Sequence, residues 1–456
     1  MPRRPPRRPP RRPVLSGLLR ARARGHPFDR EILRLAVPAL GAMAAEPLYI
    51  LTDTAVVGHL GTPELGGLAV AGTILTTAFS LFNFLSYGTT AAVARAAGAG
   101  RSEASARDAV QSLWLALFIG TALALAGLLA APLLVGLMDP SATVRPHALL
   151  YLRISSLGML PVMLTLVGVG FLRGLQDTIT PLRIALLANL ANLAMELVAI
   201  YGFGLGLAAS AWSTVLAQVA AAAVFCRHIA RHASAAEVGY RPDPARLRAL
   251  VVIGRDLFLR TGSLLAALAV ATAVASRLGT APLGAHQIAF QLWSFLALTL
   301  DAVAIAAQAM VGRLLGAGDA AAARVASRRM VEWGLVAGLV LGGLVAALRP
   351  VLAPLFSDDP AVIALTLDVL WIVAVLQPLN AVVFVLDGVL IGAGDLRFLA
   401  GAMLAAFAAF LPAAVLAGTA GGTLGWLWGA ITLLMVARLT GVAFRFAGRS
   451  WMVTGA

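Results

Sequence analysis

The sequence predicts an all-α polytopic membrane protein, with twelve transmembrane helices grouped into two six-helix lobes. Three observations carry that expectation. The 456 residues are 60% hydrophobic and only 12% charged, where a soluble chain carries about 25% charged residues. The basic residues, all arginines, collect in alternate connections between apolar stretches. The same pattern also recurs, without a gap, 218 residues further along the chain.

A membrane-crossing helix needs roughly 20 apolar residues. Twelve such stretches can be placed, at about 33–57, 67–93, 109–131, 147–171, 182–203, 207–227, 255–277, 284–311, 330–353, 363–391, 398–418 and 423–444. Residues 1–30, which open "MPRRPPRRPPRRPV", are too charged and proline-rich to fold alone. They lack the apolar core of a signal peptide. They read as a disordered cytoplasmic tail whose arginines favour an anionic lipid leaflet, at about 1 kcal/mol each. No base-stacking aromatics accompany them, so nucleic acid is not an expected partner. With the N-terminus inside, 31 of the 35 arginines fall at the cytoplasmic face, and only Arg145, Arg153, Arg277 and Arg349 lie toward the other. That asymmetry obeys the positive-inside rule and predicts both termini in the cytoplasm. The single cysteine, Cys226, excludes an internal disulfide and any multi-cysteine metal site.

The repeat pairs "LGTPELGGLAVAG" (60–72) with "LGTAPLGAHQIAF" (278–290), "VARAAGAG" (93–100) with "VGRLLGAG" (311–318), and "FLRGLQD" (171–177) with "VLIGAGD" (389–395). Each copy holds six spans, an even number, so both copies enter the membrane from the same side. This divides the chain into an N-terminal lobe (31–230), a cytoplasmic linker (231–250) and a C-terminal lobe (251–445). Parallel repeats of this kind are a recurrent plan of transporters. The "GAG" ends of spans 2 and 8 read as helix terminations with glycine in the left-handed region. "YGFGLGLAAS" (201–210) lies between two spans with no strand before it, which excludes a nucleotide-binding loop.

Carboxylates at membrane depth need a reason, because insertion of an aspartate costs at least about 2.5 kcal/mol. The stretch "LTDTAVVGHLG" ends span 1 and carries Asp53, 19 residues past Arg34; Glu46 lies seven residues before it on the same helical face. Pro47 beside Glu46 suggests local unwinding of span 1. Span 5 reads "ANLANLAMELVAI", so that Asn189, Asn192 and Glu196 form one polar stripe on an apolar helix. Thr214 in span 6 comes to similar depth, and the four elements predict a polar cavity in the N-terminal lobe. Asp256 and Arg260, spaced i and i+4 in span 7, read as an ion pair closing the cytoplasmic side. Asp301 in span 8 is the repeat counterpart of Asn83 and suggests a polar cluster in the other lobe. Asp387 and Asp395 read as loop-positioning residues.

These segments resemble the multidrug and toxic compound extrusion (MATE) family in its DinF-like branch. The marks are "LTDTAVVGHLG", "NLANLAMELVAIYGFGLGLAASAWST", "RDLFLRTG", "DAVAIAAQAMVGRLLGAGD" and "LDGVLIGAGD", which together span both halves. The resemblance implies a secondary antiporter of two six-helix lobes that exports cationic, amphipathic compounds in exchange for protons or Na⁺. It implies a cation site at Asp53, Asn192, Glu196 and Thr214, with Tyr151 nearby and Pro38 as the point where helix 1 bends. The family's helix 5 acid is usually aspartate. Glu196 moves the carboxylate by a methylene, which disturbs a Na⁺ cage more than a proton site, so protons are the favoured coupling ion. No cofactor is expected. The expected partners are a small-molecule substrate and membrane lipids, the expected state is a monomer, and the expected location is a bacterial inner membrane. Two other functions are weighed. A lipid-linked precursor flippase calls for a more basic cavity, and no arginine stands inside the spans beyond their ends. A membrane-embedded enzyme calls for a catalytic constellation such as HExxH, which is absent.

Overall fold

The computed structural model describes residues 26–419 and 422–455, so the tail expected over 1–30 falls outside it up to residue 25. Among the described residues, eleven helices are long and apolar enough to cross a membrane. The bent pair Arg145–Ser156 and Met159–Gly174, angled at 48°, supplies a twelfth crossing. The first lobe comprises Asp29–Gly58, Thr62–Gly98, Ser102–Leu129, the bent pair, Ile179–Gly202 and Gly206–Ala235. The second comprises Pro244–Leu278, Thr280–Gly316, Ala320–Phe356, Pro360–Gly392, Leu396–Thr419 and Leu424–Ala447. These are spans 1–6 and 7–12 below. The link between lobes is shorter than the sequence suggested, because span 6 runs on to Ala235 and span 7 begins at Pro244.

The helices outrun the apolar stretches that announced them. Thr280–Gly316 has 37 residues, about 55 Å at the helical rise, against a hydrocarbon core about 30 Å thick. Spans 2 and 8 are the same length and begin and end 218 residues apart. Gly100 and Gly318, with φ of 70° and 82°, close them in the left-handed region, where a Cβ is penalised.

Helix packing within a bilayer relies on small residues that let backbones approach, and the repeat places them in matching positions. In span 4, Gly170 lies on the Ser86 carbonyl and Gly174 on Val93; in span 10, Gly388 lies on the Ala304 carbonyl and Gly392 on that of Gln308. A third pair joins the lobes. Gly98 sits against the backbone of Arg313, and its counterpart Gly316 sits against the backbone of Arg95.

The apolar core is divided unequally along the molecule. One cluster unites both lobes at the end that carries the termini, joining Ile32, Leu35 and Val93 to Met310, Val311, Leu315 and Trp451. Toward the opposite end there are two clusters. One belongs to the N-terminal lobe around Val57, Leu68 and Leu207, the other to the C-terminal lobe around Trp293, Phe410 and Trp428. Polar contacts follow the same division. Asp29 accepts from Arg329 at 2.6 and 2.9 Å and from the Trp333 indole at 2.9 Å. Arg313 meets Glu31 at 2.6 Å. Arg95 donates to the carbonyls of Ala393, Val453 and Gly455 at 2.7, 2.8 and 2.8 Å, which lays the chain's last described residues across the seam. Among the described residues, every hydrogen bond between the lobes lies in this half. The bundle is therefore sealed at the termini and parted at the far end.

Span 1 runs as one helix from Asp29 to Gly58 through both Pro38 and Pro47. The unwinding expected at Pro47 does not occur. A proline in a helix removes one amide donor, and here the amide of Asn189 donates to the Ala45 carbonyl at 3.0 Å, tying span 5 to span 1 beside that proline.

Candidate functional site

The N-terminal lobe brings the expected residues together and adds two. Asp53 is 5% exposed, Asn192 3% and Glu196 0%, so these polar groups are withdrawn from both lipid and water. The Ser210 hydroxyl donates to Asp53 Oδ1 at 2.7 Å. The Thr214 hydroxyl donates to the Ser210 carbonyl at 2.9 Å. A hydroxyl carries one proton, so Thr214 can only accept from Asn192 Nδ2 at 3.3 Å and from the Tyr49 hydroxyl at 2.8 Å. Tyr151 is buried close enough to Asp53 and Glu196 to feel both charges. Glu196 adjoins Asp53 and Ser210, and its main influences are burial and the neighbouring acid, with no basic side chain among them.

The chemistry lies in what stays unpaired. Both Glu196 oxygens and Asn192 Oδ1 are buried without a hydrogen-bond partner. Three orphaned acceptors beside a second carboxylate form a site deficient in positive charge. Leaving buried carboxylates unpaired is strongly unfavourable, so one or more protons, or a small cation held by oxygens, would relieve them. Two adjoining acids also titrate as a pair, their protons belonging to neither residue alone.

Tyr49 and Ser210 were not foreseen, although a signal existed. Each lies one helical turn before an expected site residue, Tyr49 four before Asp53 and Ser210 four before Thr214, hence on the same face. Glu46 and Asn189 stand apart from this centre. Glu46 is crowded by protein yet leaves its side chain accessible, as a crevice-lining group does, while Asn189 serves the backbone of span 1.

The C-terminal lobe departs from expectation. Asp256 pairs with its neighbour Arg255 at 2.8 Å, not with Arg260. Arg260 instead reaches span 10 and meets Asp387 at 2.5 Å, and Arg438 of span 12 meets the same oxygen at 2.7 Å. A helical i, i+4 pair competes with partners on facing helices, and here the deeper carboxylate takes the arginine. Asp387 is thus not a loop-positioning residue: it is 4% exposed inside a helix that continues to Gly392. Arg438, at 3% exposure, also overturns the expectation that no arginine stands within the spans. Asp395 does sit at a helix end, paired with Arg445 at 2.5 Å. Asp301 accepts from the Tyr87 hydroxyl at 3.4 Å, and Asn83, its repeat counterpart, donates to that same hydroxyl at 3.4 Å.

Two parallel six-span lobes, a seam closed at one end and a buried acidic pair within one lobe define a membrane transporter of the internal-repeat class. The MatE family model matches residues 38–198 and 264–416. The chain belongs to that family, the multidrug and toxic compound extrusion transporters, with kinship to its DinF-like branch, and it is accordingly not an enzyme. It is similar to Protein DETOXIFICATION 44, chloroplastic, of Arabidopsis thaliana, with 30% identity over 433 residues covering 92% of this chain and 82% of the relative. It is also similar to DNA damage-inducible protein F of Escherichia coli K12, with 31% identity over 296 residues and 64% of each chain covered. Among solved structures, a MOP superfamily transporter from Pyrococcus furiosus shares the fold with a TM-score of 0.83 at 21% identity, over 93% of this chain and 97% of that one.

Proposed function

We propose that the protein is a secondary active antiporter that exports amphipathic organic solutes, drug-like or cationic, in exchange for protons. The observation that carries this reading is the pair Asp53 and Glu196, buried side by side with unpartnered oxygens and no basic counterion. Binding of the coupling ion neutralises the pair and favours one packing of span 1; solute entering from the other side favours the opposite packing. Each ligand then alters the affinity for the other by the same factor. Protons suit the site better than Na⁺. A proton needs one basic oxygen, whereas a metal ion needs several at fixed distances, and the Thr214 oxygen already has three hydrogen-bond partners. The residues Asp53, Asn192, Glu196 and Thr214 form the proposed ion site, with Tyr49, Tyr151 and Ser210 orienting them. The domain division into lobes at 31–230 and 251–445 belongs to this proposal, as does operation as a monomer in a bacterial inner membrane.

Efflux from proteoliposomes tests the coupling. Transport is expected to follow an imposed pH gradient and to persist when Na⁺ is replaced by choline; its collapse in choline with the pH gradient intact assigns the site to Na⁺. The orientation rests on the arginine distribution. A reporter fused after Arg241, in the segment joining the lobes, is expected to register as cytoplasmic. An external signal there inverts the direction of access to the acidic pair.

A further inference from the structure

The C-terminal lobe contains a cavity that the coupling site does not use. It lies where the lobes meet and is lined by Tyr87 of span 2 together with Arg260, Asp301, Gln308, Phe384 and Asp387. A second hollow continues behind it, past Asp387 to Arg438. Charge in this region does not balance. Arg260 and Arg438 converge on one oxygen of Asp387, while Arg173 of span 4 and Arg260 both act on Asp301. Three guanidinium groups therefore face two carboxylates, and one positive charge has no counter-charge. An arginine offers five N–H donors. Arg260 has one recorded hydrogen bond, to Asp387, and Arg438 has two, to Asp387 and to the Met435 sulfur. The remaining donors stand beside a cavity whose wall includes the apolar face of Phe384, 5.9 Å below the Arg438 guanidinium. Guanidinium groups bind oxyanions in paired, directional fashion.

We propose that this cavity binds the acidic group of the transported solute, a carboxylate or phosphate carried on an apolar body, with Arg438 and Arg260 as its ligands. The proposal rests on the antiport reading and narrows its substrate class from amphipathic solutes in general to those bearing an anionic group. Asp387 acts as an internal competitor. It occupies the arginines when the cavity is empty and yields one of them when an oxyanion arrives. The acidic pair of the N-terminal lobe and the basic cluster of the C-terminal lobe then give one chain two sites of opposite polarity, one for the coupling ion and one for the solute.

Equilibrium binding separates this idea from transport. The purified protein in detergent is titrated with radiolabelled 1-naphthoate, with inorganic phosphate and with phenyltrimethylammonium, at one pH and without any gradient. Naphthoate is expected to bind, and Arg438→Gln to weaken it at least tenfold. Asp387→Asn is expected to tighten it about tenfold, because it frees both guanidinium groups. A merely structural ion cluster predicts the opposite: Asp387→Asn destabilises the protein and gains no affinity. Naphthoate affinity indifferent to both substitutions overturns the proposal, as does preference for phenyltrimethylammonium. If Arg438→Gln fails to accumulate, Asp387→Asn alone decides the question. Competition by inorganic phosphate at equal concentration assigns the site to phosphate-bearing solutes, including lipid headgroups, and its absence assigns it to carboxylates. Failure of gradient-driven efflux with naphthoate binding retained would reject the antiport reading and leave this site standing.

Discussion

Replacement of Asp53 by asparagine is expected to abolish gradient-driven efflux while leaving the protein folded and at normal abundance. The two side chains are nearly isosteric. The asparagine oxygen can still accept from Ser210, which now donates to Asp53 at 2.7 Å. The new amide can in turn donate toward Glu196, whose two oxygens have no partner. The variant thus imitates the protonated pair and stays in it. Coupling requires that the site gain and lose its ion in each cycle, so a permanently neutral residue removes the cycle without removing the fold. Efflux driven by a pH gradient is expected to fall to the level of empty vesicles, and solute binding is expected to lose its pH dependence. Asp53→Glu retains a titratable group and is expected to keep partial activity with a displaced pH optimum. Normal efflux by Asp53→Asn would show that the carboxylate is a structural residue and that coupling lies elsewhere.

The N-terminal site was legible because a charge in an apolar helix is costly and therefore conspicuous. Asp53, Asn192 and Glu196 could be read as facing a common cavity from their spacing alone. Hydroxyl groups cost little and pass unnoticed, which is why Tyr49 and Ser210 emerged only with the geometry. The C-terminal cluster misled for a different reason. Arg438 lies near the end of the chain and was counted among the cytoplasmic arginines, and Asp387 precedes a glycine motif that marks a helix end. Neither local pattern reveals that span 10 continues to Gly392 and that span 12 lays Arg438 against it. Sequence spacing likewise offered Asp256 to Arg260, and only the facing helix offered Asp387. Burial, which decides between such partners, is a property of the assembled bundle. The repeat, by contrast, was read without loss, since the helices of spans 2 and 8 keep the offset found in the letters.

The same repeat identifies the positions where the smallest change is expected to move the whole molecule. Gly98 and Gly316 are counterparts, and each rests on the backbone of the other lobe, so that an added Cβ at Gly98 comes within 2.9 Å of the Arg313 Cα and one at Gly316 within 2.9 Å of the Arg95 Cα. Helix propensity alone predicts that alanine stabilises either site, by up to about 1 kcal/mol. The seam predicts otherwise, because a helix backbone cannot swing aside as a long side chain can. Gly98→Val is expected to force the termini-side ends of the lobes apart and to shift the balance toward the oppositely opened arrangement by at least about tenfold, which is about 1.4 kcal/mol. Gly316→Val is expected to do the same through the mirrored contact. The measurement is a pair of spin labels at Glu103→Cys and Arg397→Cys, exposed sites on the two lobes, in a Cys226→Ser background. Their separation should lengthen, while a second pair at Met138→Cys and Asp358→Cys, at the far end, should shorten if the lobes rock as bodies. Gly72→Ala, which meets nothing within 4 Å, serves as a control and should move neither distance. Unchanged distances in both valine variants would mean that the seam yields locally, and that closure at the termini is held by the ion pairs of Asp29 and Glu31 instead.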